Sequence, residues 1–224
     1  MSWAPYNIWA YVVSIYFMGN RRLDEEKFFN FLNKITAMLL MYAITNPGVQ
    51  AIRRPFFVEF QNILHGRPLE FRQFKQPEKI LREQLKNINF SNQRAITGSM
   101  LAWWTFYDDA QNLPPIGMDL HIEHILAKKR QELHNVLKNS AALEFLGNKS
   151  LLEKTINIRA SDYRLVDKKI FYLGDGKSKL GTFNLELRDL AETRNDFTEE
   201  DIIERNEKIF EAFIEYLREN NLLI

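Results

Sequence analysis

The chain has 224 residues, of which 46% are hydrophobic and 26% are charged, and it contains no cysteine. This composition is typical of a folded globular protein rather than a disordered one. The absence of cysteine excludes disulfides and thiolate metal sites, and it fits the reducing cytoplasm, where we expect the protein to act. The longest apolar run, residues 35–44, is about half as long as a membrane span, and no signal peptide is recognisable, so no membrane association is predicted.

Charge is unevenly distributed along the chain, although the net charge is only +1. Residues 1–118 contain 13 Lys and Arg against 9 Asp and Glu, and residues 119–180 contain 12 against 8. Residues 181–224 reverse the balance, with 5 against 12. The moderate basic excess in the middle of the chain permits a phosphate-bearing partner but does not identify one.

The first half of the chain predicts a helical domain, residues 1–112. Apolar residues recur there at helical spacing, and helices are predicted over residues 25–44, 48–64, 77–87 and 92–110. Asp24 is suited to cap the first of these, and Asn46-Pro47 is expected to end it. Pro55 predicts a kink in the second.

The segment 111–117, with two prolines and a glycine, predicts the boundary to a second domain, residues 113–224. Short strands are predicted at residues 118–126 and 148–154, and these could form a hairpin. Helices are predicted over residues 132–146, 161–173 and 199–220. Thr198 and Asp201 have the spacing of a capping box at the start of the last helix.

The strand at 118–126 contains the sequence HIEHIL, with Glu123 directly before His124. Histidine can act as a general base near neutral pH, and it can also bind a metal. A neighbouring carboxylate can hold a divalent cation that neutralises charge on a phosphate during hydrolysis. The pattern alone is weak, because a histidine in a strand is more often structural than catalytic.

Two asparagines strengthen the interpretation. In the stretch LGNKSLLEKTINIRASD, Asn148 lies 24 residues after His124, and Asn157 follows nine residues later. The carbonyl oxygen of an asparagine side chain suits Mg²⁺ or Mn²⁺, and its amide can hold a loop through backbone hydrogen bonds. The ordered set of Glu-His, Gly-Asn and Asn therefore predicts a functional site.

With these motifs, with DKKIFY and with the acidic stretch FTEEDIIERNEKI, the chain resembles the HNH (ββα-metal) nuclease domain at the C-terminus of GmrSD-like proteins. Those proteins are modification-dependent (type IV) restriction and phage-defence nucleases. The resemblance covers roughly residues 101–224. It implies a mainly α fold in which a helical N-terminal domain precedes a helical C-terminal domain with an embedded ββα-metal hairpin–helix core.

The resemblance implies a role for each matching residue. His124 corresponds to the general base, and Asn148 to the residue that orients the base and holds its loop. Glu123 and Asn157 correspond to ligands of a divalent metal, Mg²⁺ or Mn²⁺, with His121 as a further ligand or a partner of Glu123. The implied activity is hydrolysis of DNA phosphodiester bonds.

Basic residues surround the motifs and fit contacts to DNA phosphates that do not read the base sequence. The candidate phosphate contacts are Lys128, Lys129, Arg130, Lys149, Arg159 and Lys168. Taken singly, each is about as well explained as a solvated lysine or arginine on a helix surface.

Two features depart from the family pattern. Ala127 stands where the family has a proline, which puts the rigidity of the loop after the first strand in doubt. The nucleotide-handling domain of full-length relatives is not recognisable, so the chain is expected to be a fragment of a longer protein or the nuclease subunit of a split system.

Three alternatives remain open at the level of sequence. The chain could be a degenerate helical module that only binds DNA or a protein partner. It could act on RNA through the same residues. A zinc hydrolase that uses His121 and His124 is less favoured, because it needs a third strong ligand and the only other histidines are His65 and His134.

Overall fold

A computed structural model describes residues 7–20, 22–45, 53–174 and 180–224. Helices dominate these residues, which confirms the mainly α class. The helices are α1 (Ile8–Gly19), α2 (Glu25–Thr45), α3 (Arg53–Leu64), α4 (Glu78–Asn87), α5 (Ala95–Thr105), α6 (Lys128–His134), α7 (Lys154–Ala160), α8 (Leu165–Leu173), α9 (Leu185–Thr193) and α10 (Glu199–Glu219). The strands are β1 (Leu120–His124) and β2 (Lys149–Glu153).

The chain divides into two compact units. Unit 1 comprises Met1–Ile88 and Phe210–Ile224, and unit 2 comprises Asn89–Ile209. The division at residue 88 differs from the domain boundary predicted at residues 112 and 113. The physical reason is that α5, which precedes the Pro-Pro segment, packs against β2 and so belongs with the strands. The last helix, α10, contributes residues to both units.

Unit 1 is built around α2. Asp24 caps this helix as predicted, because its Oδ1 accepts a hydrogen bond of 3.1 Å from the backbone N–H of Lys27. The second half of the helix is buried continuously from Ala37 to Ile44. By length and composition α2 is also apolar enough to cross a membrane, a test that the core helix of a folded unit passes as well. The predicted stop at Asn46-Pro47 lies outside the described residues.

Unit 1 also contains α1, α3, α4 and the end of the chain. Pro55 is the third described residue of α3, and residues 48–52, in which the predicted helix before the Pro55 kink would lie, are outside the described residues. Gln76, just before α4, pairs with the end of the chain: its N–H donates to the carbonyl of Leu222 at 3.0 Å, and its carbonyl accepts from the N–H of Ile224 at 3.0 Å.

Unit 2 contains a two-stranded antiparallel sheet packed among helices. In its register Leu120 lies opposite Glu153 and His124 lies opposite Lys149. The predicted strands are therefore confirmed, and they pair with each other. The surrounding core is apolar and includes the buried side chains of Ile125, Leu152, Tyr172, Phe197 and Ile202.

Several predicted helices in unit 2 are placed differently. The helix predicted at 132–146 is wrong: α6 begins at Lys128, directly after Ala127, and residues 140–148 form short 3-10 turns instead. The helix predicted at 161–173 corresponds to α8, which begins at Leu165, and α7, which ends just before Ser161, was not predicted from helical spacing. Ser161 has φ +42°, a left-handed conformation that ends α7. Helix α9 was not predicted.

Candidate functional site

The candidate site lies on the strands β1 and β2 and on the helix α7. The two strands are antiparallel, and α7 follows β2 without a connecting loop. The N–H of Lys154 at the start of α7 donates to the carbonyl of Asp119, 2.9 Å away, which ties the helix to the beginning of β1. Helix α7 packs on both strands. Asn157 on α7 is half-buried, and its Nδ2 lies 3.5 Å from the carbonyl oxygen of Ile122 in β1.

Asn148 fixes the loop that follows β1. Its side chain is completely buried. Its Oδ1 accepts a 2.8 Å hydrogen bond from the N–H of Leu126, and its Nδ2 donates to the carbonyls of Leu126 and Leu143, both at 3.1 Å. Its backbone carbonyl also accepts from the N–H of Ile125 at 2.9 Å. One buried amide therefore satisfies three backbone groups of two loops, as a loop-holding residue should.

The glycine of the LGN motif has a packing role next to Asn148. A Cβ on Gly147 would lie 2.0 Å from the carbonyl oxygen of Ile202 in α10. The N–H of Gly147 donates to Asn206 Oδ1 at 3.1 Å. The guanidinium of Arg205, also on α10, donates to the carbonyls of Gly147 and Lys149 at 3.0 and 2.8 Å. Close contact with α10 therefore supports the start of β2.

His124 is the last residue of β1, and it has an unusual environment. The imidazole is mostly shielded, with 16% of the side chain exposed. Its Nε2 is buried, forms no hydrogen bond and lies 3.7 Å from Glu144 Oε1. Burial lowers the pKa of the imidazole to about 4; the charge of Lys149 acts in the same direction, and Glu144 opposes it. At neutral pH the ring is therefore uncharged.

Glu123 faces away from His124, because successive side chains of a strand point to opposite sides. Its Oε1 accepts hydrogen bonds from Lys168 Nζ at 2.6 Å and from Tyr172 Oη at 2.7 Å. All three side chains are buried. Burial raises the pKa of the Glu123 carboxyl, and the charge and hydrogen bond of Lys168 act against this rise. Burial also raises the pKa of the Tyr172 hydroxyl, and the charge of Glu123 adds to that effect.

Two of the predicted metal ligands, Glu123 and His121, lie next to other charged or polar groups of the protein. The Oε1 of Glu123 accepts hydrogen bonds from the Lys168 ammonium and the Tyr172 hydroxyl. His121 is largely exposed, and its Nε2 lies 3.6 Å from Asp119 Oδ1. Among the described residues, no group of three or more His, Asp or Glu is placed to hold a metal ion.

The six predicted phosphate contacts separate into buried and accessible residues. Lys149 and Lys168 are fully buried, and their ammonium groups bind internal acceptors. Lys149 Nζ donates to Phe90 O at 2.6 Å, to Asn92 Oδ1 at 2.7 Å and to Glu144 Oε2 at 2.5 Å. Lys168 Nζ donates to His124 O at 2.7 Å in addition to Glu123. In this conformation neither ammonium can reach a phosphate.

The other four lie nearer to solvent. Lys128 and Lys129 are exposed in the first turn of α6. Arg130 forms a bidentate pair with Asp196, with N–O distances of 2.8 and 3.1 Å. Arg159 is half-buried, with its guanidinium 5.9 Å from the ring centre of Phe171. Lys128 and Lys129 are therefore the predicted cations most open to a polyanion.

Ala127 stands where the family pattern has a proline, and its backbone conformation is compatible with one. It is the residue before α6, and its φ of −62° and ψ of 137° are values that proline adopts readily. Its side chain is buried. The loop after β1 therefore has the conformation that a proline would impose, and the hydrogen bonds of Asn148 hold it there.

Sequence reasoning missed Glu144, Tyr172 and Arg205. Tyr172 was detectable in principle, because it follows Lys168 by four residues and so shares a face of α8. Glu144 and Arg205 carried no such signal, since they reach the site only through the loop before β2 and through α10.

Comparison with known proteins assigns the family. The family model described as GmrSD restriction endonucleases, C-terminal domain, matches residues 55–212, more than half of the chain. The chain therefore belongs to the family of GmrSD restriction endonuclease C-terminal domains, which indicates a nuclease role related to restriction. A search of curated proteins found no match. A search of solved structures also found none.

Proposed function

We propose that this protein is a DNA endonuclease of the HNH (ββα-metal) type that hydrolyses phosphodiester bonds in a modification-dependent restriction or anti-phage system. The observation that carries the proposal is the position of His124. It ends β1 within a strand–strand–helix arrangement, and Asn148 holds the residues that follow it. Family membership supports the nuclease class, and the motif resemblance supports the HNH subtype.

In the proposed reaction His124 accepts a proton from the water that attacks the scissile phosphorus. The bond between phosphorus and O3′ breaks, the departing O3′ takes a proton from solvent, and the product ends are a 3′-hydroxyl and a 5′-phosphate, as the HNH resemblance implies. Glu144 is proposed as a positioning residue whose charge stabilises the imidazole once it has accepted the proton, because its Oε1 lies 3.7 Å from His124 Nε2 and raises the pKa of the ring. Asn148 maintains the backbone on which His124 is presented.

Dependence on Mg²⁺ or Mn²⁺ is part of the proposal and rests on the HNH resemblance. A bound divalent cation would neutralise charge on the phosphate and on the leaving oxygen. Asn157 remains a candidate ligand. Glu123 fits a structural role better, since its Oε1 is bonded to Lys168 and Tyr172. We assign no catalytic step to the metal.

The substrate contacts that we propose are electrostatic. Lys128 and Lys129 extend from α6, which begins four residues after His124. They are placed to bind phosphates close to the scissile bond, and Arg159 on α7 is a further candidate. Such contacts do not select a base sequence, so target choice is assigned to a nucleotide-handling domain or subunit with which this chain cooperates in the cytoplasm.

The test is nicking of supercoiled plasmid in the presence of Mg²⁺ or Mn²⁺. We expect His124→Ala to lose at least ~100-fold in rate, which is the usual contribution of a general base. His65→Ala is the matched control, because His65 is exposed in unit 1. Equal rates for wild type and His124→Ala in purified samples would disprove the catalytic assignment.

One observation favours a second candidate, a catalytically degenerate module that binds DNA or a protein. It is the buried pair of Glu123 and Lys168, which occupies a position expected for a metal ligand. Calorimetric titration with Mn²⁺ discriminates the two. Binding that is lost in Asn157→Ala supports the enzyme, whereas a folded wild type that binds no Mn²⁺ and does not nick DNA supports the module.

A further inference from the structure

Unit 1 contains a cavity of about 430 Å³ between the faces of α1 and α2 and the turn after α3. Small-ligand pockets in proteins typically measure about 300–1,000 Å³. Every residue that contributes to this cavity belongs to unit 1, so the cavity is separate from the site on β1, β2 and α7. Its wall combines cations, amides and an apolar floor.

The cationic side of the cavity comes from one face of α2. Lys27, Asn30 and Lys34 are spaced by three and four residues, which places their side chains on a common face of the helix. Arg67 completes the set from the other side. Among the described residues that line the cavity, three are Lys or Arg and none is Asp or Glu.

Lys34 is the innermost of these cations. Burial lowers the pKa of its ammonium to about 8, and the charge of Lys75 adds to the effect. The charges of Glu59 and Glu70 raise the pKa of Lys34 and so oppose this lowering. Their carboxylates have other partners, since Glu59 accepts from the N–H groups of Glu70 and Phe71, and Glu70 pairs with Arg72. Lys34 donates to the carbonyl of Asn220 and retains further donor capacity.

The turn after α3 directs Arg67 to the cavity. Gly66 has φ +65°, its N–H donates to Ile63 O at 3.0 Å, and the N–H of Arg67 donates to Asn62 O at 2.8 Å. This is the hydrogen-bond pattern of a Schellman C-cap, which fixes the chain direction beyond the helix. The Arg67 side chain is exposed and has no ion pair with any residue that the structure describes.

The floor of the cavity is apolar and aromatic. Tyr16 and Phe31 lie with ring centres 4.3 Å apart, and both are buried. Ile63 and Leu69 extend this floor. The amides of Asn20 and Asn30 also line the cavity. A flat ring on the floor and an anionic group on Lys34 and Arg67 would satisfy both sides of the cavity.

From this arrangement we propose that unit 1 binds a small organic phosphate of mononucleotide size, with its ring on Tyr16 and Phe31 and its phosphate on Lys34 and Arg67. Charged hydrogen bonds from an arginine and a half-buried lysine are strong phosphate contacts. The two asparagines provide donors and acceptors for polar atoms at the edge of the ring. This site does not depend on the proposed nuclease activity.

The experiment is calorimetric titration of the full chain with the four common ribonucleoside 5′-monophosphates, one at a time, and with inorganic phosphate and adenosine. At least one monophosphate is expected to bind with a dissociation constant below ~1 mM, more tightly than phosphate or adenosine alone. Arg67→Ala and Lys34→Met should each weaken it about tenfold or more. Lys79→Ala, an exposed lysine elsewhere in unit 1, should bind as wild type does.

Arg67→Ala keeps the test independent of folding, because the Arg67 side chain is exposed and forms no ion pair with a described residue. The proposal is overturned if none of the four monophosphates binds to the wild type. It is also overturned if inorganic phosphate binds as tightly as the best of them, or if both cavity variants retain wild-type affinity.

Discussion

Lys168 Nζ lies 2.6 Å from Glu123 Oε1, and both side chains are buried inside unit 2. This relationship joins two residues of the predicted site. A lysine predicted to contact substrate phosphate donates to a carboxylate predicted to bind metal. Because Lys168 also donates to the carbonyl of His124, the pair joins α8 to the end of β1.

Replacing Lys168 by methionine is therefore expected to destabilise the fold. The change leaves the Glu123 carboxylate buried with Tyr172 as its remaining partner, and breaking a buried ion pair in this way costs about 3–5 kcal/mol. The measurement is urea unfolding followed by circular dichroism. Lys169→Met is the matched control, because Lys169 is more accessible and donates to Asn195 at the surface. Equal stability of the two variants would show that the pair is not structural.

Substitution of the two motif asparagines is expected to have different effects: Asn148→Ala should lower stability, and Asn157→Ala should remove activity. Asn148→Ala removes three buried hydrogen bonds and leaves backbone groups of Leu126 and Leu143 unsatisfied, so the free energy of unfolding should fall by about 2–4 kcal/mol. Asn157 makes one contact of 3.5 Å, so Asn157→Ala should lose less than about 1 kcal/mol while abolishing plasmid nicking. A folded, fully active Asn157→Ala would exclude that residue from the site.

Ala127→Pro is expected to be tolerated. The backbone of Ala127 already has a φ of −62°, and proline at a compatible position changes stability by about +0.4 to +1 kcal/mol through the unfolded state. Thermal unfolding should therefore show a variant as stable as wild type or slightly more so. Ala141→Pro is the contrasting control, because the N–H of Ala141 donates to Asn139 Oδ1. A strongly destabilised Ala127→Pro would mean that the loop has a different conformation.

DNA binding is expected to depend on the exposed lysines of α6 rather than on the buried ones. The double variant Lys128→Gln, Lys129→Gln should reduce the slope of log K against log salt by about 2, since each phosphate contact contributes roughly −0.9. Fluorescence anisotropy over a salt series measures this slope. Lys86→Gln, exposed on α4 in unit 1, is the control. An unchanged slope in the double variant would place the DNA elsewhere.

Lys34 predicts a specific pH dependence of stability. Its pKa is about 8 in the folded state against 10.5 ordinarily, so between these values the unfolded state binds more protons. The free energy of unfolding should therefore rise with pH across this window through Lys34, and the penalty for the buried charge is fully present below pH 8. Denaturant titrations at pH 7.5 and 10.5 should show this rise in wild type and a smaller one in Lys34→Met. An equal rise in the free energy of unfolding in wild type and in Lys34→Met would contradict this prediction.

The sequence predicted those features that depend on local pattern. Helix α2 with its Asp24 cap, the start of α10 and the two strands follow from periodicity and capping, and the motif selected His124 and Asn148 as neighbours in space. It did not predict that α7 ends at Ser161, because a non-glycine residue with positive φ has no reliable sequence signal. Nor did it predict that Lys149 is buried, because two of its acceptors, Phe90 and Asn92, lie more than 50 positions earlier.

Unit 1 combines two segments that are far apart in the chain, and this affects the order in which the protein can fold during synthesis. Gln76 pairs with residues 222 and 224, and the ammonium of Lys34 bonds to Asn220, so the first 88 residues obtain some of their hydrogen-bond partners from the last fifteen. During synthesis unit 2 has all of its residues before unit 1 does. The early helices therefore lack these partners until residues 210–224 have left the ribosome.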